Sequence, residues 1–150
     1  MEEHTGSEII KRLAKALDDA IESKDIEELV SYFSNDCEVE LLGIKLSGKE
    51  GLKKAIAWMF RYLREITLTP ITIIVDENVF IEEFIVKAMT GKGEEIQTKQ
   101  TEVLVYNGDY KVKSIRLYFD RLELAAAYVS NPLERFMVNW LTKASLRGLI

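Results

Sequence analysis

The chain has 150 residues, 47% of them hydrophobic and 30% charged, with a formal net charge of −5. That length suits a single domain over 1–150 with a real core, and the scattered Lys and Arg argue against nucleic acid, which needs a concentrated basic face. The apolar runs are too short for a bilayer and Met1-Glu2-Glu3-His4 is not a signal-peptide start, so no membrane contact and a cytoplasmic location are expected.

Residues 1–6 are expected to be flexible. Thr5-Gly6-Ser7-Glu8 has capping-box spacing and Ile9, Leu13, Leu17 and Ile21 follow at helical intervals, which predicts a helix over 7–23. Asp25-Ile26-Glu27-Glu28 repeats the signal before Leu29, Val30 and Phe33, predicting a shorter helix to about Ser34, ended by Asn35-Asp36. Cys37, Val39 and Leu41 then alternate with Glu38 and Glu40, as in a strand with one buried face, and Gly43 turns the chain through Ile44-Lys45-Leu46. Ser47-Gly48-Lys49-Glu50 is a third capping box, with Leu52, Ile56, Met59, Phe60 and Leu63 as the apolar stripe of its helix.

Four strand-like runs follow, at 67–75, 79–89, 95–106 and 110–120. Turn residues separate them: Asp76-Glu77-Asn78, Thr90-Gly91-Lys92-Gly93 and Asn107-Gly108-Asp109. Short turns join antiparallel neighbours, so the runs form a β-meander. Residues 122–130 read as a helix, and Asn131-Pro132 opens a last one within a 132–150 extension. Trp58, Tyr62, Phe136, Met137 and Trp140 sit at helical spacing and are expected mostly in the core, some at a pocket mouth.

This order predicts an α+β class: a curved antiparallel meander wrapped around the N-terminal helices, with helices at the C-terminus. A cavity left between the layers is the default binding site. His4 is the only histidine and Cys37 the only cysteine, so a histidine base, a histidine or cysteine metal site and an intrachain disulfide all lose their residues. No metal and no cofactor is expected, and Cys37 is read as a small core residue.

Two passages carry a family likeness. One is Ser31-Tyr32-Phe33-Ser34-Asn35-Asp36-Cys37-Glu38-Val39-Glu40 with Ser47-Gly48-Lys49-Glu50-Gly51; the other runs from Asn107-Gly108 through Ile115-Arg116-Leu117-Tyr118-Phe119-Asp120. In this order the chain resembles the nuclear-transport-factor-two-like α+β cone, and in particular its SnoaL-like polyketide cyclase branch, over roughly 8–130. The resemblance implies an Asp general acid/base near the end of the last strand, in the Tyr-Phe-Asp context of Tyr118-Phe119-Asp120. For ketosteroid-isomerase-like relatives (carboxyl tuning there is a standard worked case) it implies that the base falls on Leu41, the oxyanion-hole tyrosine on Leu17 and the second acid on Glu102. Two leucines in three such positions argue against that isomerase chemistry. Dehydratase-like relatives need a core histidine. Limonene-epoxide-hydrolase-like relatives match at Asp120 and Glu102 but have Arg where this chain has Gln100, unless Arg116 substitutes.

Alternation places Ser114, Arg116, Tyr118 and Asp120 on one strand face and Ile115, Leu117 and Phe119 on the other. If Tyr106 pairs with Tyr110, Arg116 faces Gln100, Tyr118 faces Thr98 and Ser114 faces Glu102, so the polar set lines the cavity and Arg116 reaches Glu102. Asp120 is then a candidate base, with Tyr118 donating to a developing enolate, on a small hydrophobic carbonyl substrate also touched by Arg116, Glu102, Gln100, Leu41, Leu17 and Trp58. Two alternatives stay open: Asp120 as a helix N-cap, and a non-catalytic module that binds a hydrophobic ligand. The face with Ile115, Leu117 and Phe119 is expected to be covered by a second copy, giving a homodimer through the outer sheet face.

Overall fold

The computed structural model describes residues 5–150. His4 and most of the stretch expected to be flexible lie outside them, whereas Thr5 caps the first helix and Gly6 begins it. Thr5 accepts a hydrogen bond from the Glu8 amide at 3.3 Å and opens α1, Gly6–Ser23, whose buried stripe is Ile10, Ala14, Leu17 and Ala20. Lys24 ends it in the left-handed region, and Asp25 caps α2, Ile26–Ser31, through the Glu28 amide at 3.1 Å.

Helix α2 is shorter than its sequence pattern predicts. Strand β1, Phe33–Leu41, takes over at once, because Phe33 pairs with Val112 and the Val112 amide donates to the Tyr32 carbonyl at 2.9 Å. Tertiary pairing overrides the local helical preference there. Leu42 and Gly43, both with positive φ, turn the chain into β2, Ile44–Ser47. Helix α3, Gly48–Tyr62, follows without the expected side-chain cap: Ser47 makes no such bond. A Cβ on Gly51 would lie 2.9 Å from Leu46, so α3 meets β2 with no side chain between them.

Strand β3, Leu63–Asp76, leaves α3 directly, and β4, Val79–Thr90, β5, Glu95–Tyr106, and β6, Val112–Tyr118, complete the meander. The sheet order is β2-β1-β6-β5-β4-β3. β1 and β6 are parallel, so the curved sheet is mixed rather than purely antiparallel. A pair so far apart in sequence is not joined by a tight turn, and that frees it from the hairpin rule. The α1 and α3 helices pack over one face, around a core that includes Leu17, Phe33, Cys37, Leu52, Phe80, Leu104 and Val112.

Helix α4, Arg121–Tyr128, and α5, Pro132–Ser145, close the chain, with Asn131 and Pro132 starting α5 as expected. The expectation of core burial fails on α5, where Phe136, Met137 and Trp140 are 67%, 55% and 53% exposed. Helix α5 packs on α4 and not on the sheet, so its stripe has no layer to enter. No helix among the described residues is long and apolar enough to cross a membrane.

Candidate functional site

Between the concave face of the sheet and the helices lies a cavity of about 130 Å³. Its walls are carbon for the most part: Leu41 from β1, Trp58 from α3, Ile66 and Leu68 from β3, Phe84 from β4, Leu117 from β6. Leu124 and Tyr128 of α4 reach it from above. Helix α4 is tied down at both ends, by the Arg121 guanidinium donating to the Leu42 carbonyl and the Tyr128 hydroxyl donating to the Tyr62 carbonyl at 3.3 Å. The Tyr62 and Tyr128 rings meet edge to face at 5.1 Å.

The polar groups at the cavity floor come from β5 and α1. Gln100 and Glu102 project inward between Thr98 and Leu104, and Gln100 donates to the Thr98 hydroxyl at 3.0 Å. Glu82 stands directly across from Glu102 on β4, and Asp18 comes down from α1. One carboxylate oxygen from each of the three lies within 4.8 Å of the others. Glu82 and Glu102 are 2% and 4% exposed, so this is an acidic cluster with almost no water to support its charge.

Electrostatics follow from that crowding. Burial, then the charges of Glu82 and Glu22, push the Asp18 carboxyl up to about 7. Burial also raises Glu82. Glu102 is held well above the ordinary carboxylate range by burial, by Asp18 and by Glu82. Glu102 Oε1 has no hydrogen-bond partner, and neither has the buried hydroxyl of Tyr106, on the same face of β5. Burial and the charges of Glu102 and Asp18 raise the Tyr106 phenol. The site therefore offers a protonated acid beside a carboxyl that titrates near neutrality, the pairing that general acid/base chemistry needs.

The residues singled out from the sequence divide cleanly. Leu17, Leu41, Trp58, Gln100 and Glu102 all line the cavity. Arg116, Tyr118 and Asp120 do not. Tyr106 pairs with Val112 rather than Tyr110, a two-residue displacement that leaves the strand faces unchanged. Between Val112 and Ser114, however, β6 carries a bulge, and this one extra residue inverts every face beyond it. Glu102 consequently pairs with Leu117, and Ile115, Leu117 and Phe119 line the cavity.

Arg116, opposite Val103, and Tyr118, opposite Thr101 and 53% exposed, lie on the outer face. The proposed Arg116–Glu102 ion pair is thus ruled out by geometry, since the two side chains leave opposite faces of the sheet. Asp120 is exposed and caps α4, accepting from the Leu122 and Glu123 amides at 2.8 and 3.4 Å. The inferred dimer face loses Ile115, Leu117 and Phe119 in the same inversion; the outward positions near it are Ile74, Ile81, Val103 and Val105. Asp18 and Glu82 were absent from the sequence candidates. Glu82 had a visible signal, an acid in the inward phase of Phe80, Phe84 and Val86.

Comparison with known proteins agrees with this architecture. A family model described as the SnoaL-like domain matches residues 14–112. No curated protein matches at a significant level. Among solved structures, a SnoaL-like protein of Jannaschia sp. CCS1 is 10% identical with a TM-score of 0.76, covering 88% of this chain and 99% of that one. The epoxide hydrolase/cyclase-like enzyme SalBIII, of pyran ring formation in the polyether salinomycin, is 11% identical with a TM-score of 0.71 over 80% and 97%. A protein of Catenulispora acidiphila with a ketosteroid isomerase-like fold, in complex with trimethylamine, is 14% identical with a TM-score of 0.68 over 77% and 90%. At such identities the likeness is one of fold.

Proposed function

Because the chain belongs to the SnoaL-like domain family, we propose that it takes a small hydrophobic carbonyl compound into the cavity and moves protons on it, as a cofactor-independent enzyme of cyclase or isomerase type. The observation that carries this reading is the pair of raised carboxyls, Asp18 and Glu102, on the floor of an apolar chamber. Glu102 donates its proton toward the carbonyl oxygen, and Asp18 removes a proton from the adjacent carbon. Gln100, Leu17, Leu41 and Trp58 shape the substrate. The acid/base role expected of Asp120 passes to these two residues, since Asp120 is outside the cavity with its carboxylate spent on α4. The epoxide-hydrolase reading through Asp120, Glu102 and Arg116 loses its geometry for the same reason.

The test is exchange of the protons next to the carbonyl of a cyclic ketone in D₂O, followed by NMR. Exchange well above the buffer rate, lost in Asp18→Asn and in Glu102→Gln, is the expected result. Binding of the ketone without exchange would favour a second reading, a non-catalytic ligand-binding module. Leu17 and Leu41 support that reading, as they put carbon where ketosteroid-isomerase-like relatives have functional groups. In either case we take the protein to work in the cytoplasm as a homodimer through the outer sheet face. Ile74 and Ile81, 54% and 36% exposed, are its suggested centre. Sedimentation as a monomer well above micromolar concentration would count against the dimer.

A further inference from the structure

We propose that the cavity floor is a receptor for a protonated amine carried on a small apolar body. This deepens the ligand-binding part of the function given above, and rests on the cavity being a ligand site, but does not require catalysis. Asp18, Glu82 and Glu102 bring three carboxyls within 4.8 Å, and Asp18 and Glu102 border the cavity. Among the described residues no Lys or Arg pairs with any of them: the nearest ammonium on α1, Lys15, is held by Asp19 at 2.6 Å on the solvent side. Ionising such a group in low dielectric is opposed both by lost hydration and by mutual repulsion, and one positive charge among the carboxylates removes both costs.

Two further atoms call for a donor. Glu102 Oε1 and the Tyr106 hydroxyl have no partner, on side chains 4% and 2% exposed. Glu102, Leu104 and Tyr106 share the inward face of β5, and the field of Glu102 and Asp18 reaches the Tyr106 hydroxyl. An alkylammonium has up to three N–H donors, which suit a carboxylate oxygen of Asp18 and Glu102 Oε1, the two acids that border the cavity. A hard divalent cation fits less well, because it asks for six or more oxygen ligands and most of the residues lining the cavity beyond the cluster are apolar. Those walls suit the remainder of the ligand. A cavity of about 130 Å³ is close to the ~150 Å³ that holds benzene, so the body is of the order of one six-membered ring.

Titration calorimetry of the wild-type protein with benzylamine and with benzyl alcohol, equal in size and unlike in charge, tests this. Benzylamine is expected to bind at least tenfold more tightly, and Glu102→Gln to remove that advantage. Equal affinities in the wild type would overturn the inference and leave the cavity reading intact. Binding of neither ligand would overturn both. Mn²⁺ binding more tightly than benzylamine, and lost in Glu102→Gln, would overturn it in favour of a metal site. The wild-type comparison decides the matter even if a variant fails to fold.

Discussion

The cavity floor and the rim of β6 hold the same kinds of side chain and put them to different uses. Glu102 and Asp120 both lie at inward or terminal positions of neighbouring strands, and each has a phenol two to four residues away, in Tyr106 and Tyr118. On the floor the carboxyls are out of water, lack cationic partners and take on raised proton affinities. At the rim, Asp120 is solvated and its oxygen is engaged by two helix amides. Residue type alone says nothing about which of the two works on a ligand. Burial and the supply of hydrogen-bond partners decide it.

Substitutions separate the two regions most sharply in activity. Asp18→Asn or Glu102→Gln is expected to lower proton exchange by about 10²–10⁴-fold, the usual worth of general acid/base catalysis, whereas Asp120→Asn leaves it unchanged. A comparable loss at Asp120 would reverse the assignment. Stability against pH comes next. Below 3.8 Asp18 is protonated folded and unfolded; between 3.8 and about 7 only the folded chain holds the proton. Folding is therefore favoured least above pH 7, and stability declines as pH rises through that window. Asp18→Asn should raise stability by up to ~4 kcal/mol at pH 8, with the gain vanishing towards pH 4, in urea titrations at several pH values.

Asp120→Ala should cost about 1 kcal/mol as a lost N-cap, while Asp120→Asn, an equally good cap, costs almost nothing. A thermal melt of the two variants distinguishes capping from charge. Tyr118→Ser, on the exposed outer face, is expected to change monomer stability by less than ~0.5 kcal/mol.

Much of this was legible in the sequence, because capping and periodicity are local. Thr5, Asp25 and Asn131 cap the helices their spacing announced, and the turn residues at 76–78, 90–93 and 107–109 separate the strands. The parallel β1–β6 pair was not legible, since nothing local in Phe33 announces Val112. Nor was the bulge. Asn107 Oδ1 accepts from the Asp109 and Lys111 amides, and Tyr110 takes a positive φ, so the turn is longer than Asn-Gly alone suggests. Leu17, Leu41, Trp58, Gln100 and Glu102 line the cavity, and their placement does not depend on that register. Arg116, Tyr118 and Asp120 do, and the inference failed at those three.

The bulge in β6 has an evolutionary meaning. Ser114, Arg116 and Tyr118 take the outer face, and Ile115 and Leu117 the inner one, because Lys113 is bulged out of the ladder, so a pairing that took Lys113 in would exchange the two sets at one stroke. A guanidinium and a phenol would then enter the chamber opposite Glu102, and an oily surface would appear outside, with no substitution anywhere in the gene. For a lineage of such proteins, gain or loss of this bulge is a shorter path to new chemistry than several coordinated point changes. The same path makes the spacing of motifs along β6 an unsafe guide to which residues two relatives share.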